Sequence, residues 1–188
     1  MLGIGIDIGS TATKIAVLDD DGAIVDTNVR STGFSSVEAA AAAGEYLASR
    51  GFLDMPHAVV ATGYGRIAVP FADKVVTEIT CHGLGAAFLF DDDGVVIDVG
   101  GQDTKVIQLA GGKVKKFLMN DKCAAGTGRF LEIMADRLAV SQQQLADMAR
   151  EGEPTPISSM CTVFAESEVI SLVGRGEPRE NIANGVIE

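Results

Sequence analysis

"GIGIDIGSTATK", residues 3–14, returns at an offset of 91 as "GVVIDVGGQDTK", residues 94–105. Six of the twelve positions are identical: Gly3/Gly94, Ile6/Ile97, Asp7/Asp98, Gly9/Gly100, Thr13/Thr104 and Lys14/Lys105. Each copy runs along an alternating apolar strand to an aspartate, crosses a turn of small residues, and enters a second strand-like run, "IAVLD" or "VIQLA". Another short turn and a third short strand follow each copy, so both read as antiparallel hairpins. Two copies so far apart imply a duplicated subdomain rather than a solenoid. The expected organisation is α/β with mixed sheets, in halves 1–92 and 93–188, without a flexible linker between them.

The turns carry the first chemical signal. In Asp7-Ile-Gly-Ser-Thr and Asp98-Val-Gly-Gly-Gln, glycines let the backbone approach a ligand closely, and successive amides can face one concavity and hold phosphate oxygens. Ser10, Thr11 and Thr13 add hydroxyl donors, and Lys14 is long enough for a terminal phosphate. A carboxylate at the strand end, Asp7 or Asp98, is placed to hold Mg²⁺ directly or through water. One such turn alone reads equally well as an ordinary glycine hairpin. Two together read as a clamp on a polyphosphate.

Between and after the copies the pattern changes to helix. "SSVEAAAAAGEYLASRG" (35–51) opens with a serine cap signal and closes on a glycine stop. "HAVVATGYG" (57–65) is a short buried strand with a glycine-rich end, and "KVVTEIT" (74–80) reads as another strand. Helices are expected near 127–139, at 141–150, and, past the break "GEPTPISS", from 162 to 174.

Composition narrows the function classes. The chain has 188 residues, 47% of them hydrophobic, with 26 acidic against 15 basic side chains and a net charge of −11. This describes an acidic folded protein with ample material for a core, and it argues against nucleic acid as a partner. No apolar run has membrane-spanning length; the longest candidate, "VEAAAAAGEYLA", is broken by Glu38 and Glu45. The N-terminus reads as a strand, not as a secretory leader. Three cysteines, at spacings of 42 and 38, offer no disulfide framework, so a reducing cytoplasm is the expected location.

Two of those cysteines share a setting. Cys123 opens "CAAGTGRF", with Lys122 before it, and Cys161 follows Ser158 and Ser159 in "SSMCTVFAES"; both read as standing at helix starts. Unpaired amides and the positive dipole end favour a thiolate there. One chain cannot assemble a four-thiolate cluster from two sulfurs, but two chains related by a two-fold axis can. Taken from the residues alone, the plainer reading, small buried thiols, is the favoured one. Cys81 and His82 in "TEITCHG" have an ordinary structural reading, and His57 reads as a surface or cap residue.

The duplicated turns resemble those of the actin, hexokinase and heat-shock-ATPase superfamily, whose two similar halves close over Mg·ATP. More specifically, "ATGYGR", "TEITCHG", "DVGGQDTK", "MNDKCAAGTGRFLE" and "SSMCTVFAESEVISL" together resemble the activator component of 2-hydroxyacyl-CoA dehydratases, a family that includes the ATPase subunits of benzoyl-CoA reductase. The likeness runs in order along nearly the whole chain. It implies duplicated actin-like (ribonuclease-H-like) ATPase subdomains, and a homodimer with one [4Fe-4S] cluster bridging the subunits on Cys123 and Cys161. It also implies ATP-driven electron transfer to a dehydratase, with a ferredoxin or flavodoxin as electron donor. Carried over with it are nucleotide contacts at Gly9, Ser10, Thr11, Ala12, Thr13 and Lys14, at Gly100, Gly101 and Gln102, and at Ala125 and Arg129. Asp7 and Asp98 become the Mg²⁺-side carboxylates, and Gln102 or Asp103 positions the attacking water.

Two other readings share the fold. A sugar or small-molecule kinase needs a base in the cleft that no residue here marks, and an actin-like scaffold needs only nucleotide binding; both leave the cysteine motifs without a role. In the superfamily pattern an adenosine-binding glycine motif and closing helices follow the second half. "ENIANGVIE" reads as a helix opening with no stop signal, so the second half is expected to be incomplete and the chain truncated.

Overall fold

The structure, a computed structural model, describes residues 1–120, 123–158 and 160–188. β1 (Leu2–Ile8) and β2 (Ala12–Leu18) form an antiparallel hairpin around the first repeat turn, with Asp7 opposite Lys14 and Ile8 opposite Thr13. β3 (Ile24–Ser31) continues antiparallel on β2, while β4 (His57–Thr62) runs parallel to β1 and β5 (Lys74–Val75) parallel to β4. The sheet order is β3-β2-β1-β4-β5, so β1 lies at its centre and delivers Asp7 at its end.

The parallel step from β3 to β4 is made by α1 (Ser36–Ser49), and its sequence explains its length. The Ser35 hydroxyl accepts the Glu38 amide at 3.3 Å to open the helix, and Gly51, at φ +72°, ends it in the left-handed conformation. Its alanine face is buried at Ala39, Ala40 and Ala43, with Leu47 beyond, against Ile4, Ile6 and Ile8 of β1 and Val59 of β4. Small residues on that face let the helix lie close to the β-branched sheet.

α2 (Glu78–Leu89) corrects one expectation. The strand expected over 74–80 is two residues long, and Glu78, Ile79 and Thr80 form the first turn of this helix. The run of valines at 75 and 76 masked the helical spacing of Ile79, Gly83, Ala86 and Ala87, which is the face that packs. Gly83 has a packing reason, since a Cβ there would lie 2.4 Å from Val114.

The second repeat copy builds a three-stranded sheet, β6 (Gly94–Val99), β7 (Thr104–Ala110) and β8 (Lys113–Asn120), in that order. Four helices follow: α3 (Gly128–Arg137), α4 (Gln142–Glu151), α5 (Thr162–Gly174) and α6 (Arg179–Ile187). The helices expected near 127–139, at 141–150 and at 162–174 are therefore borne out. Two compact units are present, residues 1–96 with 107–117, and residues 97–106 with 118–188. The second has its own core, in which Met134, Leu145, Val169 and Ile182 are buried almost completely.

α4 begins with a capping box, in which Ser141 accepts the Gln144 amide and the Gln144 side chain accepts the Ser141 amide. Ser141→Ala is expected to lower stability by about 1 kcal/mol in urea unfolding; an unchanged midpoint would show that the cap is idle. Among the described residues no helix is long and apolar enough to cross a membrane.

Candidate active site

The two repeat turns are built alike. The Gly9 amide donates to the Ala12 carbonyl at 3.0 Å, and at the matching positions the Gly100 amide donates to the Asp103 carbonyl at 2.8 Å. A Cβ on Gly9 would fall 2.9 Å from the Ala12 oxygen, and one on Gly100 2.8 Å from an Asp103 carboxylate oxygen. The turn is too tight for any side chain at that position. Ser10 and Ala12 are half-buried and Thr11 is exposed. Thr13 is buried, with its hydroxyl 2.9 Å from that of Thr32, so it braces the turn from within.

Asp7 is the best-defined acidic group. Lys14 Nζ donates to its Oδ2 at 2.9 Å, and His82 Nε2 lies 3.9 Å from the same oxygen, within the range of charge attraction but beyond a hydrogen bond. Burial works to raise the Asp7 carboxyl, yet the His82 and Lys14 contacts outweigh it and hold the group below its ordinary value. Its Oδ1 is buried without a hydrogen-bond partner among the described residues. Gly63, at φ +85°, backs that oxygen so closely that a Cβ there would lie 2.2 Å from it. A buried, ionised oxygen with no donor of its own suits a hard cation, so the residues present fit Mg²⁺.

His82 departs from its ordinary reading. With α2 formed, it stands one turn after Glu78, and its Nε2 is 3.9 Å from Glu78 Oε1 as well as from Asp7. Nothing in the sequence alone pointed to this placement. An i,i+4 Glu–His pair stands out only once the segment is known to be helical.

The second turn carries the same lysine–aspartate pair in a different environment. Lys105 is buried and lies 3.4 Å from Asp98 Oδ2, with an Asp103 carboxylate oxygen closer still. Lys14 is about half exposed. Asp103 therefore faces inward to Lys105, whereas Gln102 is exposed at the turn. The opening of α3 is bonded to this turn: the Gly128 amide donates to the Gly100 carbonyl at 2.9 Å and the Arg129 amide to the Gly101 carbonyl at 3.1 Å. The Arg129 guanidinium itself is exposed and paired with Glu132 at 2.9 Å.

The cysteines divide. Cys161 is the residue that precedes α5, in extended backbone, as expected of a helix start. Cys123 is not at one, because α3 is capped by Thr127, and Cys123 lies earlier, in the glycine-containing loop. Gly126 in that loop takes φ +72°, which breaks helical continuity before Thr127. Both thiols are half-buried, and the Ala125 amide points at Cys123 Sγ at 3.5 Å. Lys122 and Ser159, expected beside the two cysteines, lie outside the described residues. A cavity of about 380 Å³ is lined by Val99, by Ala125, Gly126 and Thr127, and by Ile157 and Ser158; it borders residues close to both cysteines in sequence, and neither cysteine lines it. A cysteine sulfur that receives a backbone amide, as Cys123 does, fits an iron–sulfur group.

Comparison with known proteins shows the family and the fold. The family model described as "BadF/BadG/BcrA/BcrD ATPase family" matches residues 4–188. The activator of lactoyl-CoA dehydratase from Anaerotignum propionicum is 45% identical over 99% of this chain and 73% of its own length. The (R)-2-hydroxyglutaryl-CoA dehydratase activating ATPase of Acidaminococcus fermentans is 44% identical over 97% of this chain and 72% of its own. Among solved structures, the activator of the 2-hydroxyisocaproyl-CoA dehydratase from Clostridium difficile with bound ADPNP has a TM-score of 0.89. It is 40% identical, covering 99% of this chain and 70% of that one. This likeness bears out the α/β, actin-like ATPase fold expected from the repeat.

Proposed function

The chain belongs to the BadF/BadG/BcrA/BcrD ATPase family, and we propose that it is an ATP-hydrolysing, iron–sulfur-dependent electron-transfer activator of a 2-hydroxyacyl-CoA dehydratase-like partner. The observation that supports the reading is that the loop carrying Cys123 is bonded to the second phosphate turn, while residues 125–127 after Cys123 and 157–158 before Cys161 border one cavity. A plain kinase or scaffold has no use for that arrangement.

In this reading residues 1–92 and 93–188 each contribute one turn. Gly9 and Gly100 close the two turns, whose further amides, from Ser10 to Thr13 and at Gly101 and Gln102, hold phosphate oxygens of ATP, and Lys14, half exposed, supplies positive charge. Asp7 and Asp98 are the carboxylates on the Mg²⁺ side. Gln102 orients water, and Asp103, fixed by Lys105, sets the turn that carries Gln102. Ala125 and Arg129 complete the nucleotide side. Cys123 and Cys161 supply two thiolates per chain, so a homodimer supplies four. When bound, Mg²⁺ supplies neutralisation of phosphate charge, and a [4Fe-4S] cluster supplies one-electron transfer at low potential.

A dimer is supported by an apolar stripe beginning beside Cys161. Met160, Val163, Phe164, Ile170 and Val173 are all exposed on or just before α5, and a second copy is the natural cover for them. The electron donor in this reading is a ferredoxin or flavodoxin, and the setting a reducing cytoplasm.

The test is purification without oxygen, followed by iron and sulfide analysis and an ATPase assay with and without Mg²⁺. About four irons and four sulfides per dimer, with Mg²⁺-dependent hydrolysis, are expected. Hydrolysis by protein that stays iron-free after reconstitution would sink the electron-transfer reading and leave a simple ATPase.

A further inference from the structure

The duplication allows the two halves to be compared bond by bond, and the comparison isolates Thr104. In the first half the repeat threonine, Thr13, reaches the residue that follows β3: its hydroxyl is 2.9 Å from that of Thr32. Thr32 in turn donates from its hydroxyl to the Gly9 carbonyl at 2.8 Å and from its amide to the Thr11 carbonyl at 3.0 Å. The segment after the third strand is thus fastened to the turn through the repeat threonine and the repeat glycine.

The second half repeats this scheme with a different segment in that place. After β8 comes the cysteine loop instead of a single threonine. The Thr104 hydroxyl donates to the Gly126 carbonyl, the Gly128 amide to the Gly100 carbonyl at 2.9 Å, and the Arg129 amide to the Gly101 carbonyl at 3.1 Å. From the other side, Asn120 at the end of β8 donates from Nδ2 to the Cys123 and Ala125 carbonyls, each at 3.2 Å. The loop holding Cys123 is therefore gripped between the strand end and the turn.

We propose that Thr104 is a positioning residue that couples the second phosphate turn to Cys123, so that nucleotide held at Gly100–Gln102 alters the surroundings of that thiol. This rests on reading the turn as a phosphate loop. The two backbone bonds alone leave the Gly126 end of the loop untied, and the Thr104 hydroxyl closes it. Coupling of this kind requires that the segments move as one piece, and three hydrogen bonds across a single turn give that. In the first half the same device fastens only a structural threonine; the thiol is what the second half has added to it.

The reaction of Cys123 with iodoacetamide provides the test, on the metal-free 188-residue chain under reducing, oxygen-free conditions. Peptide mass spectrometry follows Cys123 separately from Cys81 and Cys161. In the unsubstituted protein, Mg·ADP and the non-hydrolysable Mg·ADPNP are expected to give Cys123 rates that differ by about fivefold or more, the lower end of typical coupling between sites. Thr104→Val is expected to bring the ratio near one while the affinity for Mg·ADP stays within about twofold, since the side chain bonds to the loop and not to the turn amides. Thr104→Ser, which keeps the hydroxyl, should retain the ratio. Should the valine variant fold poorly, Thr104→Ala removes the same hydroxyl without the added methyl group. A wild-type ratio in a folded Thr104→Val or Thr104→Ala protein overturns the proposal, as does a ratio of one in unsubstituted protein that binds both nucleotides. Absence of nucleotide binding in the unsubstituted protein overturns the phosphate-loop reading and this coupling with it.

Discussion

Lys105→Met should lower the stability of the chain by about 3 kcal/mol, the low end for breaking a buried ion pair, whereas Lys14→Met should lower it by less than about 1 kcal/mol. The two lysines hold equivalent repeat positions and each faces the equivalent aspartate, so the difference is one of environment. Lys105 is among the largest fully buried side chains, with Asp98 and Asp103 on either side of its ammonium group. Methionine keeps the apolar stem and removes the charge, so the Asp98 and Asp103 carboxylates lose the buried ammonium group that both approach. Their partial exposure, 21% and 27%, is the reason to expect the low end. Lys14 is 49% exposed, so solvent already screens its pair with Asp7. Urea unfolding of the three proteins makes the comparison. Equal losses for both lysine variants would show that burial does not distinguish the sites. Adding Asp98→Asn and Asp103→Asn to Lys105→Met should recover part of the loss, because the cost lies in carboxylates deprived of that ammonium group rather than in the missing bond.

That contrast marks where reading the sequence stops. Four of the six identities in the repeat have the same physical role in both halves: Gly9 and Gly100 close the turns, Asp7 and Asp98 take the lysines Lys14 and Lys105, and Thr13 and Thr104 reach the segment after the third strand. Such positions are readable because local geometry admits few residue types. Burial is not local. Both lysines follow a threonine and precede a β-branched residue, and nothing nearby reveals that one is enclosed and the other open. His82 was missed for a related reason. The valines before it carry a strand signal, and the helix that turns His82 toward Asp7 is set by packing of Gly83 and Ala86. The position of Cys123 was misjudged because its apolar-glycine sequence resembles a helix start, while the left-handed Gly126 moves that start to Thr127.

Cys161→Ser and Cys123→Ser should each reduce bound iron, measured after anaerobic reconstitution, from about four per dimer to near background, with the fold unchanged. The two substitutions are small in volume and lie at half-buried positions, so packing loss is slight. Their chemical effect is large, since a serine hydroxyl stays protonated where a thiol ionises, and a hard oxygen is a poor ligand for iron bridged by sulfide. In the proposed dimer each chain contributes each sulfur once, so a single substitution would remove two of the four ligands of a shared site. Position should separate the variants in a second respect. Cys161 precedes α5 in extended backbone and has no side-chain capping bond there, so serine at this position can cap the helix and leave the protein equally or slightly more stable. Cys123 instead receives the Ala125 amide on its sulfur and sits in the loop that Thr104 and Asn120 hold, so its loss should also weaken the dependence of that loop on nucleotide. Full iron content in either variant would show that the cysteine is not a ligand, and retention in both would return the two thiols to the plain reading of small half-buried side chains.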